Sequence, residues 1–266
     1  MALLSIKTLF AFLFGLVLGS FLNVCIHRIP LKQSIVTPPS GCPHCGKQIR
    51  FYDNIPILSY IFLLGKCRYC RHPISFRYPV VELITGLLSV ALCIRYGPSF
   101  HDLISSIQYA GYLAFVASLI IISFIDLQYK IIPDVISLPG ILLGIILSIF
   151  PWYPVTWLDS LIGIVGGGGF LYAVAFLYER WTGREGMGGG DIKLLAMLGA
   201  WMGWKALPFV VFISSLTGTL IGGGSLLLAR RGYRARIPFG PFLALGALIY
   251  FFFGNEIIVW YYGLLR

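Results

Sequence analysis

The sequence predicts an all-α polytopic membrane protein of about eight transmembrane helices, with one small polar domain inserted after the first helix. Three observations predict it. The chain of 266 residues is 58% hydrophobic and only 11% charged, with mean hydropathy +0.86; soluble domains carry about 25% charged residues. Apolar blocks recur along almost the whole chain, most of them near the ~20 residues that cross a bilayer. One stretch, 27–77, breaks the pattern with eight Lys/Arg and four of the six cysteines. The formal charge of +10 does not point to nucleic acid, because the basic residues are spread over short loops between apolar runs.

Residues 8–26 make the first helix, with Leu, Phe and Val interrupted by Gly15 and Gly19. A cleaved signal peptide fits poorly. The apolar run is long, no small-residue cleavage site is clear, and Asn23, Arg28 and Pro30 sit at its end. After the polar segment come apolar blocks at 78–94, 103–125, 135–150, 158–178, 192–204, 207–229 and 239–261. Block 192–204 is short and contains Gly203, so seven spans and a re-entrant piece remain an alternative. The expected division is a first transmembrane helix at 1–26, a cytoplasmic domain at 27–77 and a seven-helix core at 78–266. With the polar segment cytoplasmic and eight alternating spans, sixteen Lys/Arg fall inside and four outside, as the positive-inside rule requires. The inner set includes Lys130, Arg180, Arg184, Lys193, Arg230, Arg231, Arg234 and Arg236. Both termini are then outside, and Trp152, Tyr153 and Trp157 join an outer aromatic belt. No internal repeat of fixed period is evident.

Two aspartates stand out. Gly186-Met187-Gly188-Gly189-Gly190-Asp191-Ile192-Lys193 lies between two apolar blocks. A carboxylate costs about 2.5–3.5 kcal/mol at the bilayer centre and less toward the interface. Successive glycines cost backbone entropy, and they let another backbone approach closely. An inter-helix turn whose Asp caps the next helix is the plainer reading. Asp126 has matching surroundings, an apolar helix before it and a loop after it, on the same side of the membrane. Two such carboxylates can share a proton and activate water, one as base and one as acid. They can equally relay protons in a transporter. Asp53, Asp102, Asp134 and Asp159 fit capping or solvated roles, with Asp134 the one to check as a partner of the pair.

Cys42-Pro43-His44-Cys45 and Cys67-Arg68-Tyr69-Cys70 each offer two thiolates on one tight turn. Four thiolates suit tetrahedral Zn²⁺ in a closed structural site. The polar segment is therefore expected to be a zinc-knuckle domain that barely folds without metal. His44 and His72 are expected to be solvated, and Cys25 and Cys93 to be small core hydrophobes.

These residues resemble the bacterial type IV prepilin peptidases, the leader peptidases that also serve type II secretion. The likeness runs through Gly19-Ser20-Phe21-Leu22-Asn23-Val24 with Arg28 and Pro30, and through the paired C-x-x-C motifs around Asn54-Ile55-Pro56 and Ser59. It continues through Arg77-Tyr78-Pro79 with Glu82, Asp126 with Pro133-Asp134, and Gly188-Gly189-Gly190-Asp191-Ile192-Lys193-Leu194. The last is similar to the G-x-G-D signature of intramembrane aspartyl proteases. The resemblance implies a multi-pass enzyme of the bacterial inner membrane, with its zinc domain and active site facing the cytoplasm. It implies cleavage of a short basic leader from prepilins or pseudopilins after a glycine, and in many members S-adenosylmethionine-dependent methylation of the new N-terminal residue. It carries the catalytic pair onto Asp126 and Asp191, and the zinc ligands onto Cys42, Cys45, Cys67 and Cys70. The methyl-donor site carries over poorly, because no glycine-rich loop follows a strand; Glu82, Asn23 and Arg28 are candidates as polar groups at the inner face. Membrane lipid is an expected partner and nucleic acid is not. A proton-coupled transporter and a non-catalytic zinc adaptor are the rival readings.

Overall fold

The computed structural model describes residues 2–97, 102–183, 188–223 and 238–264. Gly186 and Met187 of the glycine-rich stretch lie outside the described residues. So do residues 224–229 of the block 207–229, and Arg184, Arg230, Arg231, Arg234, Arg236 and Arg266 of the charge tally. Each apolar block forms a helix: α1 Ala2–Arg28, α3 Arg77–Tyr96, α4 Leu103–Tyr129, α5 Asp134–Ser148, α6 Trp157–Thr182, α7 Gly189–Met202, α8 Leu207–Thr217 and α9 Gly240–Leu264. A five-residue helix, α2 Leu58–Phe62, lies in the polar segment. Among the described residues there are no strands, only two isolated bridges. Among the described residues six helical segments are long and apolar enough to cross a membrane; α5, with 15 residues, and α7, with 14, are shorter. The protein is a multi-pass membrane protein.

The chain forms two compact units, Met1–Ile121 and Ile122–Arg266. In the first, α1 packs on α3 through small residues. A Cβ on Gly19 would stand 2.7 Å from the Glu82 Cα, and one on Gly15 2.7 Å from the Ser89 Cβ. Such small-residue seams let membrane helices approach and gain dispersion energy where lipid offers no hydrophobic drive. Ser89 Oγ completes the seam with a 2.8 Å bond to the Ala11 carbonyl. Cys25 and Cys93 are buried in these two helices, as core thiols. Leu9, Phe10, Leu13 and Val17 face outward from α1, as lipid-facing side chains do.

In the second unit α7 is the innermost helix. Every residue from Leu194 to Trp201 is buried, and a helix apolar all round is a core helix. This accounts for its length. It is enclosed by protein, and its end groups are met by neighbours rather than by water. The Tyr153 hydroxyl donates to the Trp201 carbonyl at 2.8 Å, and Ser160 Oγ to the Ala200 carbonyl at 2.9 Å, satisfying two carbonyls that a helix end leaves open. Trp201 Nε1 donates to the Gly140 carbonyl of α5. Gly140 and Gly144 of α5, with Gly163 and Gly167 of α6, line the enclosure. At Gly163 the α6 backbone lies directly on the backbone of Gly199.

Two of the remaining aspartates are helix caps. Asp102 accepts the backbone N–H groups of Ile104 and Ser105, and Asp159 joins Thr156 in capping α6. Asp53 is neither a helix cap nor solvated. Arg68 grips both of its oxygens, and its side chain is only 7% exposed. The guanidinium holds its carboxyl below the usual carboxylate range.

Candidate functional site

The second unit brings Asp126 and Asp191 together. Asp126 lies in the last turn of α4 and is 5% exposed. Asp191 is the third residue of α7, is half-buried, and lies within electrostatic reach of Asp126. The cap of α7 is Gly188, with no side-chain bond, so Asp191 is not the capping residue. Its carboxylate stands in the first turn, at the end of the helix where backbone dipoles favour negative charge. One of the three glycines is sterically required. A Cβ on Gly190 would stand 2.8 Å from the Ile132 Cβ, whereas Gly189 has open space around it. Gly190 thus lets the start of α7 press against the turn that follows Asp126. Lys193 closes the same junction by donating to both oxygens of Asp134, at 2.7 and 2.8 Å. Asp134 is therefore a clamp between the starts of α5 and α7.

A residue that the sequence reading missed completes this geometry. The backbone N–H of Gly240, the first residue of α9, donates to Asp126 Oδ2 at 2.8 Å. A Cβ there would meet the same oxygen at 2.8 Å, so only glycine fits without displacement. The signal was present as Gly240-Pro241, because proline early in a helix marks an N-terminus with free N–H groups. Nothing in the spacing linked it to a carboxylate 114 residues away.

In the first unit the four cysteine sulfurs lie within 4.8 Å of one another. Cys42 Sγ and Cys70 Sγ are 3.8 Å apart. A tetrahedron with Zn–S of about 2.3 Å has an edge of about 3.8 Å, so the residues fit zinc. The two turns are copies at an offset of 25 residues. Cys42 N–H bonds the Lys47 carbonyl and Gly46 N–H the Cys42 carbonyl; Cys67 N–H bonds the His72 carbonyl and Arg71 N–H the Cys67 carbonyl. Gly41 bridges Gln48, and Lys66 bridges Pro73. Gly46 and Arg71 take the same left-handed turn, at φ 70° and 58°. This corrects the impression of a chain without internal repetition. N–H groups of Cys70 and Tyr69 lower the Cys67 thiol to about 6. The exposed His44 and His72 rings stack at 4.3 Å.

A cavity of about 400 Å³ opens in the first unit, lined by residues that include Ser20, Asn23, Arg28, Ser59, Tyr78 and Glu82. Sites for small molecules run from about 300 to 1,000 Å³. The three cofactor candidates thus share one space, and each has partners within the protein: Asn23 Nδ2 donates to the carbonyls of Gly19 and Tyr78. Arg28 donates to the carbonyls of Ser34 at 2.9 Å and Pro38 at 2.7 Å, anchoring the 34–39 loop. Glu82 Oε2 accepts the Ile57 N–H at 2.8 Å. Ile57 holds φ 61°, costly for a branched side chain, and the bond fixes that turn.

Residues 13–96 match the Bacterial Peptidase A24 N-terminal domain, and residues 113–223 match the Type IV leader peptidase family. Curated relatives cover nearly all of the chain. One from Aeromonas hydrophila is 39% identical, spanning 94% of this chain and 92% of its own. One from Pseudomonas aeruginosa is 40% identical (92% and 90%), and one from Burkholderia pseudomallei 37% (92% and 85%). All three are named prepilin leader peptidase/N-methyltransferase. No solved structure matches.

Proposed function

This chain belongs to the type IV leader peptidase family, and we propose that it cuts the basic leader from prepilins or pseudopilins and then methylates the new N-terminus. The observation that carries the peptidase reading is the pair of carboxylates, Asp126 and Asp191, at two helix ends of one unit. One takes a proton from water, which adds to the scissile carbonyl carbon. The other gives a proton to the departing nitrogen as the C–N bond breaks. The Gly240 N–H orients Asp126, and the Gly190 contact and the Asp134–Lys193 pair hold Asp191 beside it. The transporter alternative finds no support in the matched relatives. The charge distribution supports an inner-membrane protein whose knuckles and carboxylates face the cytoplasm.

Zinc in the Cys42, Cys45, Cys67, Cys70 cage would tie the polar segment together and take no part in chemistry. The methyl donor implied by the relatives' name is S-adenosylmethionine. Bound, it supplies a methyl group whose bond to sulfur breaks as the bond to the amine nitrogen forms, sulfur keeping the electron pair and the nitrogen losing a proton. The purified protein, incubated with a prepilin-like peptide, should yield a shortened product, methylated when the donor is added. A folded, zinc-loaded preparation that leaves the peptide whole would overturn the peptidase reading.

A further inference from the structure

We propose that the polar segment lies on the membrane as an interfacial module, with the apolar face of α2 set into anionic phospholipid where α3 enters the bilayer. The proposal goes beyond the proteolytic and methyl-transfer readings and needs neither. The short helix α2 has two faces. Ser59 and Tyr60, with Leu63 at its end, line the cavity of about 400 Å³. Leu58, Ile61 and Phe62, spaced i, i+3 and i+4 on the opposite face, are exposed. Phe62 is 81% exposed, and Leu64 just beyond it 82%. Clustered apolar side chains left open mark a contact surface.

The position of α2 says which surface. Glu82 Oε2 accepts the N–H of Ile57, the residue before α2, at 2.8 Å. Glu82 is five residues inside α3, Arg77–Tyr96, about 7.5 Å along its axis. That helix is long and apolar enough to cross a membrane, and Leu83 and Leu87 face outward from it just past Glu82. The face of α2 is therefore tied to α3 at the depth of the bilayer interface. The 34–39 loop, anchored by Arg28, repeats the pattern. Its exposed Ile35 and Val36 share a second cavity, of about 330 Å³, with Val17 and Phe21 of α1. Those two lie about three and two turns inside the Arg28 end of α1.

Charge selects the lipid. Residues 27–77 carry eight Lys/Arg and one acidic residue, Asp53, whose oxygens Arg68 occupies. Lys32, Lys47, Arg50, Lys66 and Arg71 are exposed. Basic side chains beside an apolar edge suit anionic headgroups. A second copy of this chain would set the same positive charge against itself, and the basic leader of the proposed substrate would add to it.

The test uses the wild-type protein in phosphatidylcholine vesicles containing phosphatidylglycerol with a diazirine on its acyl chain. After irradiation, trypsin cuts after Arg50 and Lys66 and releases 51–66, which holds α2 whole. That peptide should carry lipid label. Phosphatidylglycerol should label it at least about fivefold more than phosphatidylcholine bearing the same diazirine, the preference that one basic side chain near the surface confers. Folded, zinc-retaining Phe62→Asp should lose label on 51–66 at least about fivefold, with label on the α3 peptide 78–95 unchanged. Label confined to the spanning helices overturns the proposal, and is the result if a second copy or the substrate covers the face. Equal labelling by the two lipids overturns the anionic assignment, and unchanged label in Phe62→Asp overturns the placement of α2. None of these results depends on leader cleavage.

Discussion

The cysteine cage and the carboxylate pair are assembled by opposite means. In the cage, four side chains converge across a polar segment with few buried apolar residues; Cys67 is its only buried hydrophobe. Its geometry depends on what the thiolates hold. In the carboxylate pair, the side chains themselves do little to assemble the site. Glycine backbones do it, by close approach: Gly190 to the Ile132 side chain, Gly163 to the Gly199 backbone, and Gly240 to the Asp126 carboxylate. The difference teaches where each region is vulnerable. The cage should yield to chelation, acid or loss of a thiol. The pair should yield to a single added methyl group.

The sharpest test is to remove the chemistry and keep the packing. Asp126→Asn or Asp191→Asn should lower cleavage at least about a thousandfold, while zinc content is retained and a pre-cleaved peptide is still methylated. A radiolabel transfer assay on the synthetic mature peptide reads the second half. If folded Asp191→Asn loses transfer as well, the two regions are not chemically separate. Next is Gly240→Ala, whose methyl group would displace the Asp126 carboxylate. Cleavage should fall about a hundredfold, as misplaced reacting groups do, with methyl transfer unaffected. Cleavage at wild-type rate would show that the Gly240 contact does not set the geometry.

Cage disruption should reverse the ranking of the two activities. Cys67→Ser should drop zinc well below about one per chain, impairing methyl transfer more than cleavage. The sign of the pH effect follows from the lowered Cys67 thiol. Zinc takes thiolates, and backbone N–H groups favour the thiolate of Cys67, so stabilisation by bound zinc is present toward neutral pH and is lost as pH falls and protons compete for the ligands. Zinc retention measured across pH 5–8 checks this. The smallest effect is expected from Lys193→Met. The Asp134–Lys193 pair is substantially exposed, at 56% and 41%, and such pairs contribute at most about 1 kcal/mol. Cleavage should fall by less than about fivefold.

The sequence disclosed these regions unequally. The cage was legible because its four cysteines sit in two local motifs, each readable in a window of four residues. Its twofold repetition was harder to see, since beyond the cysteines little recurs except Ile49 with Ile74 and Phe51 with Phe76. The helices were legible from apolar runs. The reason for the shortness of α7 was not, because enclosure by α5 and α6 depends on which glycines meet which backbone. Asp126 and Asp191 drew notice as charges at apolar helix ends. Gly240 did not, because its contribution is an N–H group that every residue but proline has. Arg28 and Glu82 attracted attention as charged groups, yet their partners are backbone atoms of the loops they hold.

The contact between Gly163 and Gly199 has a consequence for how this chain can vary. Two backbones that touch with no side chain between them act as a tooth in a gear. Adding one residue to α7 between Asp191 and Gly199 would turn everything before the tooth by about 100° and advance it by about 1.5 Å. Asp191 would then point away from Asp126, although every substitution-sensitive residue would still be present. Length between positions 191 and 199 is therefore as much a requirement as composition, and insertions tolerated in the surface loops should be excluded from the seven-residue stretch between them.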